Sequence, residues 1–272
     1  MIMRYPDYQN KTVIITGASY GIGKSLALQL SGQGACLVLA ARSKGLLNDI
    51  KEQCESIGGR ALVVQTDVTD PDHCRTMVQR AMEHYGRIDT LINNAGVCMI
   101  SRFDEVKDLS HYERIMRVNY LGSVNCTYYC LPYLKQSQGH IVAIASLAGR
   151  TGVPLYSAYS ASKHALIGFF ESIRIELEDA GVNVTLMLPD FVSSGLHERS
   201  VDGSGCVIGK AHNIDYDHVM IPDECARLCI QAMTKCKREA LLTWRGRMGQ
   251  WLKLLNPRFI DAITKKAIAV GR

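Results

Sequence analysis

Short apolar runs and stretches of helical period alternate along most of the chain. TVIIT (12–16) is followed by GASYGIG and then by the helical pattern KSLALQLSGQG. ACLVLAARS (35–43) leads into SKGLLNDIKEQCESIGG, and RALVVQT (60–66) leads to Thr69-Asp70-Pro71, a capped helix start whose stop is Tyr85-Gly86. RIDTLI (87–92) runs into Asn93-Asn94-Ala95-Gly96, and the long helix that follows carries Asn119 in RVNYLG. GHIVAIA (139–145), NVTLML (183–188) and EALLTW (239–244) predict three further strands, separated by helices over the YSASK segment and over PDECARLCIQAMTKC. This alternation predicts an α/β fold, a Rossmann-type doubly wound parallel sheet of about seven strands flanked by helices.

Two segments depart from the pattern. Asn competes for backbone hydrogen bonds inside a helix, so Asn119, with Gly122 three residues on, predicts a local break there. Residues 191–221 are polar, glycine-containing and without clear period, as expected of a lid over a substrate site at a strand's C-terminal end. Neither an internal repeat nor a linker divides the chain. We expect one catalytic domain over 1–245 and a basic amphipathic helical tail over 246–272, broken at Asn256-Pro257.

Composition narrows the class. The formal charge of +5 is mild and no basic block interleaves with aromatics before the tail, which argues against nucleic acid as a partner. Ten cysteines are scattered with no metal-ligand spacing, so no metal is expected; burial is the default for each, and a reducing compartment follows. The N-terminus lacks a signal-like apolar run and no stretch is long enough to span a membrane, so a cytoplasmic protein is expected.

The candidate chemistry lies at strand ends. Gly17, Gly21 and Gly23 sit between a strand and a helix, where backbone N–H groups and the helix dipole receive a dinucleotide's pyrophosphate; alone, such a turn is equally a structural one. The second strand ends in Ala41-Arg42 rather than in a carboxylate that would hold a ribose 2′-hydroxyl. Arg42 pairs well with a 2′-phosphate, which favours NADP(H), and Ser19 and Ser43 offer further hydrogen bonds; a solvated loop arginine is the plainer alternative. Asp67 suits an adenine contact or a cap, and Asn93 to Gly96 suit close approach to a ligand or a plain turn.

Tyr159 and Lys163 are four apart, on one face of a predicted helix. A free phenol ionises near ~10, and a neighbouring ammonium is expected to lower that value toward the working range of an acid or base. Ser146, at the end of IVAIA, is placed to hydrogen-bond a substrate oxygen. The three together describe carbonyl–alcohol interconversion, although Tyr-x-x-x-Lys alone is a weak signal.

Taken together, TGASYGIG, the Asn93–Gly96 run, Asn119, Ser146 and Tyr159-x-x-x-Lys163 resemble the short-chain dehydrogenase/reductase family in its single-domain branch, over nearly all of residues 10–245. The resemblance implies a catalytic tetrad: Tyr159 as general acid/base, Lys163 tuning it and holding the nicotinamide ribose, Ser146 polarising the carbonyl, and Asn119 positioning a water in a proton relay. It also implies cofactor contacts from Gly17, Ser19, Tyr20, Ile22, Gly23, Arg42, Asp67, Val68, Asn94, Ala95 and Gly96, with Pro189, Val192 and Ser194 near the nicotinamide. One position departs from the family: Asp190 follows Pro189 where a glycine is usual, and would be strained if that backbone needs φ > 0.

The tail is similar to those of reductases of steroids, retinoids and other apolar carbonyls, which implies a small lipophilic substrate, with NADPH driving reduction. A 3-oxoacyl reductase of fatty-acid metabolism and a catalytically silent NADP-binding regulatory protein are the competing readings. Relatives imply a homodimer or homotetramer joined through the long helices on either side of Ser146. In the tail, Trp251, Leu254, Leu255, Phe259, Ile260 and Ile263 are expected to form one continuous apolar face ringed by Lys253, Arg258, Lys265 and Lys266. Packing on the domain or on a partner is the expected role of that face, ahead of contact with a membrane surface.

Overall fold

The computed structural model describes residues 8–209 and 219–269. Strands β1 (Thr12–Thr16), β2 (Cys36–Ala41), β3 (Arg60–Gln65), β4 (Thr90–Asn93), β5 (His140–Ile144), β6 (Asn183–Leu188) and β7 (Glu239–Leu241) form one sheet. Its order is β3-β2-β1-β4-β5-β6-β7, with every pairing parallel. The expected doubly wound sheet is therefore present. β1 is buried on both faces, as strands of a helix-covered parallel sheet are. Val13 and Ile15 turn to one side, toward α1 (Gly21–Ser31), α2 (Lys44–Ser56) and α7 (Pro222–Thr234). Ile14 turns to the other, toward α3 (Pro71–Tyr85), α5 (Gly122–Ser137) and α6 (Ser157–Glu176).

The strand order reverses direction between β1 and β4, and ligands of such sheets bind outside the strand ends at that switch point. The glycine turn after β1 and the Asn93–Gly96 run after β4 meet there. Thr16 Oγ accepts from the N–H groups of Asn94 and Ala95, and Asn94 Nδ2 donates to the carbonyls of Thr16 and Gly17. A methyl group at Gly17, where φ is +65°, would lie 2.8 Å from Ala95 Cα, so only glycine fits this junction. Local rules account for much else. Asp70 caps α3 through the N–H groups of Asp72 and His73, Pro71 opens the helix, and Gly86 ends it at φ 70°.

The break expected around Asn119 is a single π turn, Arg117–Leu121, between α4 (Ser110–Met116) and α5. Such bulges gather at functional sites. Here it turns the Asn119 side chain, fully buried, onto the segment after β4, where its amide pairs with both backbone groups of Val97.

Several expectations need correcting. The last strand is shorter than EALLTW: it ends at Leu241, and Thr243 Oγ accepts from Gly246 N–H to start α8 (Trp244–Leu255). The tail thus begins at Trp244 and continues, after Asn256, as α9 (Pro257–Ala269). Its apolar residues do not form one face. Ile260 is buried while Trp251, Leu254, Leu255, Phe259 and Ile263 are exposed, because α9 turns back and presents one side inward, with Ile268 packed on Cys98 and Tyr156. Asp190 has no left-handed backbone and so carries no strain. Cys206 is exposed and Cys236 half-buried, against the default of burial, since both lie outside the packed elements. The expected lid is partly ordered by bridges pairing Met99 with Val201, Val192 with Met220 and Val201 with Val207; its residues 210–218 lie outside the described residues.

Candidate active site

A cleft of about 680 Å³ runs along the C-terminal ends of the strands, within the size range of small-molecule and cofactor sites. At one end lies the glycine turn. Tyr20 precedes α1 without capping it through its side chain, so the first N–H groups of the helix have no side-chain acceptor. Uncapped N–H groups and a positive dipole end fit an anion such as a dinucleotide's diphosphate. Gly17, Ser19, Tyr20, Gly21 and Ile22 line this end, as do Arg42 and Ser43 after β2 and Asp67 and Val68 after β3. No carboxylate stands at the end of β2. Burial alone would raise the Asp67 pKa, but hydrogen bonds from the Thr69 N–H and hydroxyl, with the Arg42 charge nearby, hold it below the usual carboxylate range. Asp67 is thus the acceptor of a local turn as well as part of the wall.

Asn94, Ala95 and Gly96 line the middle, with Pro189, Val192 and Ser194 after β6. Ser194 lies against the glycine turn, where a Cβ on Gly21 would come within 2.5 Å of its carbonyl. Two of the expected site residues do not reach the cleft. Gly23 faces the Gly17 carbonyl and the Asn94 amide, where its missing side chain lets α1 pack against the turn. Asn119 sits behind the wall.

The far end brings together Ser146, Tyr159 and Lys163. Ser146 follows β5 in extended backbone, and its Oγ accepts from Ala148 N–H. It also hydrogen-bonds the Tyr159 side chain from α6. Lys163, one turn along α6, lies with its Nζ 5.6 Å from the Tyr159 ring centre and donates to the Ile144 carbonyl at 2.7 Å. Asn119 acts at one remove: its Nδ2 donates to Ser162 Oγ at 2.9 Å, and Ser162 Oγ donates to the Tyr159 carbonyl.

The electrostatics run against the expectation of a lowered phenol. Burial pushes the Tyr159 phenol well above 10, the neighbouring Cys98 adds to the shift, and the Ser146 hydrogen bond offsets only part of it. Burial also lowers Lys163 to about 8. The cost of charging a buried oxygen thus outweighs what the groups around the phenol return.

A family model described as short chain dehydrogenase matches residues 11–204. The chain belongs to the short-chain dehydrogenase/reductase family. It is 38% identical over 258 residues to 11-beta-hydroxysteroid dehydrogenase 1A of Arabidopsis thaliana, covering 92% of this chain and 73% of that one. It is 40% identical over 260 residues to 11-beta-hydroxysteroid dehydrogenase-like 4A of the same plant, with 94% and 84% covered. Dehydrogenase/reductase SDR family protein 7-like of Dictyostelium discoideum is 36% identical over 268 residues, with 96% and 82% covered. The fold is shared with a crystal structure of a short chain dehydrogenase/reductase from Burkholderia phymatum in complex with NAD, at TM-score 0.83 and 24% identity over 93% of this chain and 96% of that one.

In this member of the family, an oxidoreductase acting on CH–OH or C=O groups, the cleft has walls that sequence reading missed. Tyr156, Phe191 and His197 form a group of rings with centres 5.6 to 6.3 Å apart. Burial lowers His197 to about 4, so it is neutral at pH 7. Arg199, from the same loop, places its guanidinium 4.2 Å from the Tyr20 ring centre, across the glycine turn. From α9, Ile260, Ile263 and Ile268 close the cleft above. Tyr156 was within reach of sequence reading, three residues before Tyr159 on the same helix approach; the loop and α9 residues have no local signal that aims them here.

Proposed function

We propose that this protein is an NADPH-dependent oxidoreductase that interconverts a carbonyl and an alcohol on a small lipophilic substrate such as a steroid, retinoid or other apolar ketone or aldehyde. The observation that carries this reading is the meeting of Ser146, Tyr159 and Lys163 at one end of a cleft walled by rings and isoleucines. The steroid names of the plant relatives point the same way. Arg42 in place of a carboxylate after β2 supports NADP(H) over NAD(H). The first N–H groups of α1 and the Asn94–Gly96 segment would hold the dinucleotide, with Pro189, Val192 and Ser194 at its nicotinamide end; when bound, it supplies the hydride.

In the reductive direction Ser146 Oγ hydrogen-bonds the substrate oxygen while Tyr159 gives it a proton, as the carbonyl carbon receives the hydride. The raised phenol pKa suits that direction, because Tyr159 is protonated at neutral pH and ready to donate. Lys163 would hold the nicotinamide ribose of the bound dinucleotide and feed a proton relay, which Asn119, itself fixed by Val97 and Ser162, would position. Free thiols throughout fit a reducing compartment such as the cytoplasm. Assembly as a homodimer or homotetramer through α5 and α6 belongs to the same reading, and Tyr128 and Ile175 give those helices exposed apolar side chains.

The test is NADPH consumption against steroid, retinal, aliphatic and 3-oxoacyl carbonyls, with NADH in parallel. Turnover of an apolar carbonyl with NADPH preferred, and that preference lost in Arg42→Ala, is the expected result. Turnover confined to 3-oxoacyl substrates, or NADPH binding with no turnover at all, would overturn it.

A further inference from the structure

The outer face of the tail has no role in the cleft, yet much of the protein's exposed apolar surface lies on it. Along α8, Trp244, Met248, Trp251 and Leu255 recur at i, i+4, i+7 and i+11, so they form one stripe. The opposite side of α8 faces the domain: a Cβ on Gly246 would press on the Leu147 side chain, and Lys253 Nζ donates to the Arg150 carbonyl. The stripe therefore points to solvent. Exposure of 73% at Trp251, 78% at Leu254 and 83% at Leu255 is the reverse of what an amphipathic helix normally does with its apolar side. Phe259, at the start of α9, extends the patch.

Charge decides what fits there. Arg245, Arg247, Arg258, Lys265 and Lys266 are exposed around the stripe, and Asp261 is the only carboxylate between Trp244 and Lys266. We propose that α8 and α9 dock this protein on an anionic lipid surface, with the stripe at the level of the acyl chains and the cations among the headgroups. A second copy fits less well, because a two-fold contact on this patch would bring the two sets of cations together. Among the described residues no helix is long and apolar enough to cross a membrane, so the contact is interfacial. The arrangement also gives the cleft a lipid-side neighbour: α9 carries Ile260 and Ile268 inward, while the stripe faces outward on the helix beside it.

Both tryptophans of the chain, Trp244 and Trp251, lie in the stripe, so tryptophan emission, excited at wavelengths that the tyrosines do not absorb, reports on this patch alone. The full chain is titrated with vesicles of phosphatidylcholine alone and of phosphatidylcholine with phosphatidylglycerol at roughly one part in three. A blue shift and co-sedimentation with the anionic vesicles only, weakened by salt, are expected. Leu254→Ser with Leu255→Ser keeps both reporters and alters only solvent-facing side chains; it is expected to lower binding about tenfold or more. Equal binding to neutral vesicles would overturn the choice of an anionic surface. Failure to bind either vesicle would overturn lipid docking altogether, and a dimer in sedimentation velocity that the double variant dissolves would then assign the stripe to a second copy. None of these readouts depends on turnover, so they stand apart from the proposed reaction.

Discussion

The side of the cleft made by β5, Ser146 and α6 and the side made by α8 and α9 enclose the same space by opposite means. On the first, nearly every polar group is committed: Lys163 to the Ile144 carbonyl, Asn119 to Val97 and Ser162, and Ser162 to the Tyr159 carbonyl. Such buried networks fix side chains because each unpaired member would cost a desolvated group. On the second, α9 meets the cleft chiefly with Ile260, Ile263 and Ile268, and α8 is attached by the Thr243 cap and by bonds from Lys253 to the Arg150 carbonyl and from Arg247 to the Leu241 carbonyl. One side is built to hold a few atoms still. The other is built to exclude water and can be repacked cheaply, which separates the reaction from the choice of substrate.

That division predicts different failures. Tyr159→Phe removes the proton donor and is expected to lower kcat about a thousandfold or more, with the NADPH Kd within about twofold of wild type. Turnover surviving at a tenth of wild type would sink the proposed mechanism. Asn119→Ala touches no substrate but strands the Val97 N–H and carbonyl and takes a donor from Ser162 Oγ, which keeps its bond to the Tyr159 carbonyl, so a kcat loss of about ten- to a hundredfold is expected, with a shifted pH profile. Combined with Ser162→Ala, its cost should be strongly non-additive, whereas combined with Ile263→Ala it should add, because those two sites share no partner. On the α9 side, Ile260→Ala with Ile263→Ala should raise KM for an apolar carbonyl about tenfold and leave kcat nearly unchanged. A fall in kcat instead would mean that α9 helps to align the reacting atoms.

The two sides also differed in how far the sequence could reveal them. Tyr159 and Lys163 are one helical turn apart, so local geometry alone pairs them, and Ser146 ends an apolar run, which puts it at a strand end where ligands of such sheets bind. Asn119 was legible for a related reason: a residue poorly suited to a helix interior marked the π turn. The uses of Asn94 and Gly23 were harder to read, since each is defined by the glycine turn, which is brought close only by the β1–β4 pairing. The tail was misread at its centre. Its apolar residues have helical spacing, but the helix ends at Asn256-Pro257, and which residues of the next one then turn inward depends on packing that no local pattern encodes. His197 and Arg199 lie in a loop without period, where nothing in the sequence aims a side chain.

The smallest effect isolates the charge on the committed side. Burial lowers Lys163 to about 8 in the folded chain from a usual 10.5. Between those two values the unfolded chain holds a proton that the folded chain has released, so this group makes stability rise with pH across that window and penalises folding below it. The buried phenol of Tyr159 and the buried thiols, with raised values, act in the opposite sense, so the slope of the wild type alone is a mixture. The difference between wild type and Lys163→Met removes the shared part. Urea midpoints measured from pH 8 to pH 10 should rise in wild type relative to this variant. The Ile260→Ala, Ile263→Ala variant should keep the wild-type slope at a lower overall stability, because its helix contributes apolar contact and no buried charge to the cleft. A slope unchanged in Lys163→Met would mean that the ammonium is better solvated than its burial implies, and that the two sides differ less in electrostatics than in packing.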